Sequence, residues 1–157
     1  MQEPRPTFRF GDLLARARQG WLKEMTRRLE ARGFVDYRRS DAATLRLLDA
    51  RPLAIGELGA ALGITRQAAR KVVDTLELRG FATTSRDAAD ARQRNVFLTE
   101  VGRRYAAAIV EVIEALNTEL IAEVDHEDLH AADRVLRTAI RDPELRERVD
   151  RTIPPPY

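Results

Sequence analysis

Cysteine is absent from the 157-residue sequence. This absence excludes disulfide bonds, thiolate metal sites, cysteine nucleophiles and thiol-based redox sensing, and it suits a reducing compartment. No apolar run approaches the length of a membrane-spanning helix, and residues 1–10 lack the apolar core of a signal peptide. We therefore expect a soluble, cytoplasmic protein that is long enough to bury a core of its own.

Groups that enzymes use for catalysis are also scarce. The sequence has no glycine-rich phosphate loop and no serine–histidine–acid spacing with local support. Its two histidines, His126 and His130, stand four residues apart amid acidic side chains, a spacing that can present two imidazoles to one metal ion. The alternative, which we favour, is a helix N-terminus that carries acids because of the helix dipole. The sequence thus predicts a protein that is not an enzyme and needs no metal or cofactor.

The net charge of +2 conceals an asymmetry along the chain. Residues 1–104 hold 21 Lys+Arg against 13 Asp+Glu, which gives +8, whereas residues 105–157 hold 6 against 12, which gives −6. A basic segment suits a polyanion such as DNA, and an acidic helical segment suits water or another protein chain.

The segment 57–81 has the pattern of a helix-turn-helix. A first helix, Glu57–Leu62, ends at Gly63, and a second begins near Thr65 and ends at Gly80, where a C-terminal glycine is favoured. Apolar residues at three- and four-residue intervals give the second helix one buried face. Its opposite face carries donors suited to base edges and phosphates, together with one acid: Arg66, Gln67, Arg70, Lys71 and Asp74. A solvated amphipathic helix with a basic stripe is the alternative.

A β-hairpin is predicted directly after this helix pair. The runs Phe81–Ser85 and Asn95–Leu98 favour strands, and the polar segment Arg86–Arg94 separates them. A helix-turn-helix followed by such a hairpin is typical of a winged helix, although an ordinary solvated hairpin is the alternative. The basic residues at the tip could lie along or inside a minor groove. They are Arg86, Arg92 and Arg94.

Long amphipathic helices flank the predicted winged helix. We expect helices at Phe10–Phe34, Asp41–Ala50 and Glu100–Val124, and a last one from after Asp125 to about Arg141, followed by an extended arm, Arg151–Tyr157. The apolar stripe of the helix at Glu100–Val124 is too long for a small winged domain to cover. We therefore predict a mainly α (α+β) winged helix-turn-helix protein that dimerises through helices of both chain ends. The predicted domains are 1–36 (N-terminal dimerisation helix), 37–99 (DNA binding) and 100–157 (C-terminal dimerisation helices and tail).

Two motifs resemble the MarR family of winged-helix transcriptional regulators. The first is GELGAALGITRQAARKVVDTLELRGF at 56–81, and the second is DARQRNVFLTEVGR at 90–103. In the second, the family typically shows an Asp-x-Arg wing element, a Leu-Thr pair that opens a helix, and a nearby Gly-Arg. These are Asp90 and Arg92, Leu98 and Thr99, and Gly102 and Arg103. The resemblance covers about residues 10–141.

The resemblance implies a homodimer whose fourth helix enters the major groove, while the wing Arg92, oriented by Asp90, reaches the minor groove. It implies a regulator, most often a repressor, that binds a pseudo-palindromic operator and is released by a small aromatic or lipophilic effector. Ala88-Ala89 stands where the family often has a proline before the wing aspartate. The implied base and phosphate contacts are Thr65, Arg66, Gln67, Arg70 and Lys71.

An effector pocket is predicted where aromatic and aliphatic side chains of several helices could converge, since such residues are the usual lining. The alternative is that these residues are plain core. They are Trp21, Met25, Phe34, Tyr37, Leu47 and Tyr105. The rival to DNA binding is a winged-helix module that binds protein. Basic residues on both the helix and the hairpin tip favour DNA.

Overall fold

The computed structural model describes residues 8–86 and 94–156. The chain divides into two compact units, Met1–Val112 and Ile113–Tyr157. The elements in chain order are α1 (Phe10–Glu30), α2 (Asp41–Ala50), β1 (Leu53–Ala54), α3 (Ile55–Leu62), α4 (Arg66–Leu78), β2 (Ala82–Arg86), β3 (Arg94–Leu98), α5 (Glu100–Glu123), α6 (His126–Ala139) and α7 (Pro143–Thr152). Within the described residues, no helix is long and apolar enough to cross a membrane.

The predicted winged helix-turn-helix is confirmed. Helices α3 and α4 are joined by a turn in which Gly63 adopts a left-handed φ of 68°, a conformation that glycine reaches without steric cost. The hydroxyl of Thr65 accepts a hydrogen bond from the Ala68 N–H at 3.1 Å, which satisfies one of the free donors at the start of α4. Gly59 lets the helices approach, because a Cβ there would lie 3.1 Å from the Ile64 carbonyl oxygen.

A three-stranded antiparallel sheet of order β1-β3-β2 completes this domain. Val96 in the central strand pairs with Leu53 on one side and Thr84 on the other. It is fully buried, as are Leu58 of α3 and Leu76 of α4, so the sheet and the helix pair share one core. The sequence did not predict β1, because a strand of two residues is too short for an alternating pattern to be recognised.

Helix α7 is the main correction to the predicted secondary structure. The predicted last helix ends at about Arg141, before Pro143, and an extended arm is predicted from Arg151, but the chain forms the further helix α7 from Pro143 through Thr152. Proline is favoured in the first turn of a helix, where its missing N–H is not needed. Asp142 caps this helix by accepting from the Leu145 N–H at 2.8 Å. A smaller correction concerns α1, which ends at Glu30 instead of Phe34.

The start of α5 packs directly on the backbone that follows α4. Thr99 donates its hydroxyl to the Gly80 carbonyl at 2.6 Å and accepts from the Gly102 N–H at 3.0 Å. Its own N–H donates to the Phe81 carbonyl at 3.1 Å, and Arg103 donates to the Leu98 carbonyl at 3.1 Å. The Leu-Thr and Gly-Arg marks of the second motif therefore join α5 to the winged domain.

A buried ion pair ties α2, α4 and α5 together. Asp41, 1% exposed, accepts from Arg79 at 2.9 Å, from the Tyr105 hydroxyl at 2.8 Å and from the Arg38 N–H at 3.0 Å. Arg79 also donates to the Asp36 carbonyl at 2.7 Å, and its guanidinium lies 4.8 Å from the centre of the Phe81 ring. Every one of these partners belongs to the unit Met1–Val112.

The second unit contains most of α5's C-terminal half, α6 and α7. Arg137 of α6 is mostly buried and donates to Asp133 at 2.8 Å, to Asp150 at 2.6 Å and to the Ile153 carbonyl at 2.9 Å. These bonds hold α7 and the proline-rich end against α6. The apolar face of α6 nevertheless stays open, with Val135 and Leu136 about half exposed.

We expect Gly102→Ala to destabilise the fold by about 3 kcal/mol or more, since overpacking against backbone cannot be relieved by a rotamer change. A Cβ on Gly102 would lie 1.9 Å from the Phe81 carbonyl oxygen. Gly56→Ala is the matched control, because nothing lies within 4 Å of its added Cβ, and it should stabilise by about 0.5–1 kcal/mol. Urea unfolding followed by circular dichroism measures both changes. Equal stabilities for the two variants would contradict this packing.

We expect Arg79→Met to cost about 3–5 kcal/mol, because it leaves the Asp41 carboxylate buried without its cation. Arg46→Met is the control, since Arg46 is an exposed arginine on the outer side of the same helix as Asp41. It should change the free energy of unfolding by less than about 0.5 kcal/mol. Chemical denaturation of both variants is the measurement, and similar small losses would show that the buried pair contributes little.

Candidate nucleic-acid interface

Helix α4 presents a face that is entirely exposed. Its buried side consists of Ala69, Val73 and Leu76, which pack into the core of the winged domain. The other side carries the predicted contact residues, all of them exposed: Thr65, Arg66, Gln67, Arg70 and Lys71. The first turn of α4 contains no acidic residue, so its positive dipole end is left uncompensated. The structure thus gathers all five on one surface, and their contact with DNA stays a prediction.

Two polar contacts act on side chains of α4. Arg70 donates through Nε to Asp74 Oδ1 at 2.8 Å, one turn further along the helix. Glu77 accepts from the Thr84 hydroxyl of β2 at 2.6 Å, which joins α4 to the hairpin. The second of these hydrogen bonds helps to hold α4 in place against the hairpin.

The predicted wing lies partly outside the described residues. Asp90 and Arg92 are not among them, so their predicted roles stay predictions. The backbone of Arg86 pairs with that of Arg94 at the end of the hairpin next to residues 87–93, and the side chain of Arg94 is exposed. The described part of the hairpin thus brings two of the three predicted basic tip residues to the same end of the sheet.

The six residues predicted to line an effector pocket are distributed between core and half-buried positions. Met25 and Tyr105 are buried, and Trp21, Phe34, Tyr37 and Leu47 are half-buried. The rings of Phe34 and Tyr105 stack with centroids 4.9 Å apart, which leaves no room for a ligand between them. Burial and the neighbouring charge of Asp41 raise the pKa of the Tyr105 hydroxyl, so it stays a donor to Asp41. The effector pocket stays a prediction.

The histidine pair lies in the first turns of α6. Residues 126–130 have the His-Glu-x-x-His order of hydrolytic zinc helices, because Glu127 follows His126. Such a helix needs a third protein ligand to hold catalytic zinc. Among the described residues, no group of three or more His, Asp or Glu is placed to hold a metal ion. A metal centre at this histidine pair would therefore rest on the sequence pattern alone.

Arg79 and Asp41 are the important residues that the sequence analysis did not single out. Arg79 precedes the helix-ending Gly80, where a basic residue is common because it interacts favourably with the helix dipole. Asp41 stands in the first turn of α2, where an acid is common for the same reason. Their pairing joins positions 38 residues apart in sequence. Only the tertiary structure shows that these two side chains are paired.

Comparison with known proteins agrees with this architecture. Residues 39–93 match the sequence model of the MarR family. A search of curated protein sequences gives no match. Among solved structures, a complex of S. aureus MepR with DNA has a TM-score of 0.70 at 19% identity, covering 85% of this chain and 98% of that one.

Two further structures show the same fold. MepR, described as a transcription regulator of the Staphylococcus aureus multidrug efflux pump MepA, has a TM-score of 0.61 at 19% identity, with 85% of this chain and 97% of that chain covered. The PcaV transcriptional regulator from Streptomyces coelicolor, in complex with its natural ligand, has a TM-score of 0.66 at 21% identity, with 88% and 96% covered. The resemblance to the MarR family of transcriptional regulators is confirmed: residues 39–93 match the model of this family, and the chain has the fold of the solved MepR regulator.

Proposed function

We propose that this protein is a cytoplasmic, homodimeric regulator that represses transcription by occupying a pseudo-palindromic operator. The observation that carries the proposal is the exposed face of α4, where Arg66, Gln67, Arg70 and Lys71 stand together on a helix whose other side is buried. Arginine and lysine donors suit guanine edges and phosphates, and glutamine suits adenine. We assign the protein no catalytic role.

The charge distribution supports DNA over a protein partner. Every charged side chain in the first two turns of α4 is basic, and the exposed Arg94 lies on the adjoining hairpin. A surface that binds protein has little use for cations on both elements, whereas a duplex presents phosphates to both. One of the structural neighbours, MepR, is seen in complex with DNA, which is consistent with this choice.

A homodimer would explain the apolar residues that the described chain leaves exposed on its terminal helices. Leu13 and Leu14 of α1, Leu120 and Ile121 of α5, and Leu136 of α6 are each exposed by more than two fifths. A twofold axis is the usual symmetry of such an assembly. It would set two copies of α4 about one helical turn, ~10 bp, apart on the operator.

We expect Arg70→Ala to weaken binding to a selected operator by about 1–3 kcal/mol, and to relax the preference at one base pair, if Arg70 pairs with a guanine. Lys71→Ala should weaken binding to all sequences alike and reduce the slope of log K against log[salt] by about 0.9. Fluorescence anisotropy with operators selected from genomic fragments measures both.

Arg134→Ala is the matched control, because Arg134 is an exposed arginine of α6, outside the proposed interface. It should leave operator affinity unchanged. Equal affinities for the wild type, Arg70→Ala and Lys71→Ala would refute α4 as the interface. The same titrations, repeated with a panel of aromatic acids, test the effector: release of the operator by one of them is the expected result, as PcaV was crystallised with a natural ligand.

We expect the purified protein to sediment at twice its monomer mass of 17.8 kDa. Leu136→Glu should convert it to the monomer, because a charge in the middle of a dimer interface is desolvated without a partner. Leu78→Glu is the control, since Leu78 is 90% exposed and belongs to α4, which is not part of the proposed dimer interface. Analytical ultracentrifugation decides, and a wild-type protein that stays monomeric at micromolar concentration would exclude the proposed assembly.

A further inference from the structure

One acid stands on the otherwise basic exposed face of α4. Asp74 is 50% exposed at its side chain and accepts a hydrogen bond from Arg70 Nε at 2.8 Å. The other acid of this helix, Glu77, is half-buried and bound to Thr84 of the hairpin. Asp74 is therefore the acid that a bound duplex would meet.

Helix stability does not explain this acid. An exposed pair one turn apart contributes only about 0.3–0.5 kcal/mol, and the favourable orientation places the acid before the base. Here the base, Arg70, comes first. Affinity for DNA does not explain it either, because a carboxylate on this surface repels phosphates. The remaining effect of the Asp74 carboxylate is the one on the orientation of the Arg70 side chain.

The hydrogen bond fixes one edge of the guanidinium. Asp74 engages Nε of Arg70, and no hydrogen bond among the described residues occupies the end of the planar guanidinium that carries its two Nη groups. An unpaired arginine carries about 2 kcal/mol of rotamer entropy, part of which is lost when it binds a base. A guanidinium already held in one orientation loses less, and its planar fork can then meet only an acceptor pair in the matching position.

We infer that Asp74 is a positioning residue that orients Arg70 to read one guanine through O6 and N7 of the major-groove edge. The inference rests on the proposed function and deepens it: Arg70 supplies the contact and Asp74 supplies the selectivity. A free arginine would swing to a phosphate when its base is changed. Held by Asp74, Arg70 loses its contact at a substituted base pair, and the carboxylate then repels the nearby backbone.

Asp74→Ala tests this in the full-length protein. A base-by-base scan of the selected operator with wild type and Arg70→Ala first locates the base pair that Arg70 reads. We expect Asp74→Ala to raise affinity for non-operator DNA, because one repulsive charge is gone. The ratio of affinities for the matched and the substituted operator should fall about five- to tenfold at that base pair, a large part of the discrimination that one bidentate contact provides.

The control is Asp49→Ala, which removes an exposed acid from α2 of the same domain. It should leave base preference unchanged. In an Arg70→Ala background, Asp74→Ala should no longer alter base preference at the scanned position, which separates positioning from bulk charge. Circular dichroism of each variant confirms that the exposed substitutions keep the fold.

Each outcome decides the matter. Equal gains in affinity for matched and substituted operators would show that Asp74 is only a surface charge, and would overturn the inference while the proposed function stands. A change of base preference that persists in the Arg70→Ala background would assign the reading to Asp74 itself and overturn the positioning role. Absence of operator binding by the wild type would overturn the proposed function and this inference together.

Discussion

The buried pair of Asp41 and Arg79 is the interaction on which the arrangement of the first unit depends. A carboxylate that is 1% exposed is tolerated only when it is hydrogen-bonded and paired, and here Arg79, the Tyr105 hydroxyl and the Arg38 N–H all donate to Asp41 Oδ2. These groups come from the residue that follows α4, from α5 and from the loop before α2. A displacement of any one of them would leave charge in the core. The cost of that charge fixes the end of α4 relative to α2 and α5.

The exposed face of α4 gains its precision from this anchoring. The helix is held at its end by Arg79, along its length by Ala69, Val73 and Leu76, and at the hairpin by Glu77. The base reading that we propose for this face requires donors held in place to within a fraction of an ångström, and rigid elements hold them better than loops. A single side chain is held in a similar way, because the hydrogen bond to Asp74 restricts the orientation of the Arg70 guanidinium.

The two units divide the charge of the molecule and the tasks we propose for it. Residues 1–112 hold 21 Lys+Arg against 14 Asp+Glu, whereas residues 113–157 hold 6 against 11. In the second unit, Arg137 holds α7 against α6, yet Leu120 and Leu136 stay exposed. We propose that these exposed leucines lie in the dimer interface.

Periodicity and capping residues predicted most of the helices, because these signals lie close together in sequence. Helix α2 and the turn at Gly63 are examples. Local pattern also placed Arg66, Gln67, Arg70 and Lys71 on one face. Local pattern failed at β1, because this strand forms only through the pairing of Leu53 with Val96. It also failed at Pro143, which was predicted to follow the last helix but is the first residue of α7, capped by Asp142. The sequence by itself determined the winged helix-turn-helix, its basic face and the resemblance of its motifs to the MarR family. Only the tertiary structure decided that Asp41, Arg79 and Tyr105 form one buried cluster and that Gly102 lies on the Phe81 carbonyl, because contacts between distant positions leave no periodic trace in the chain.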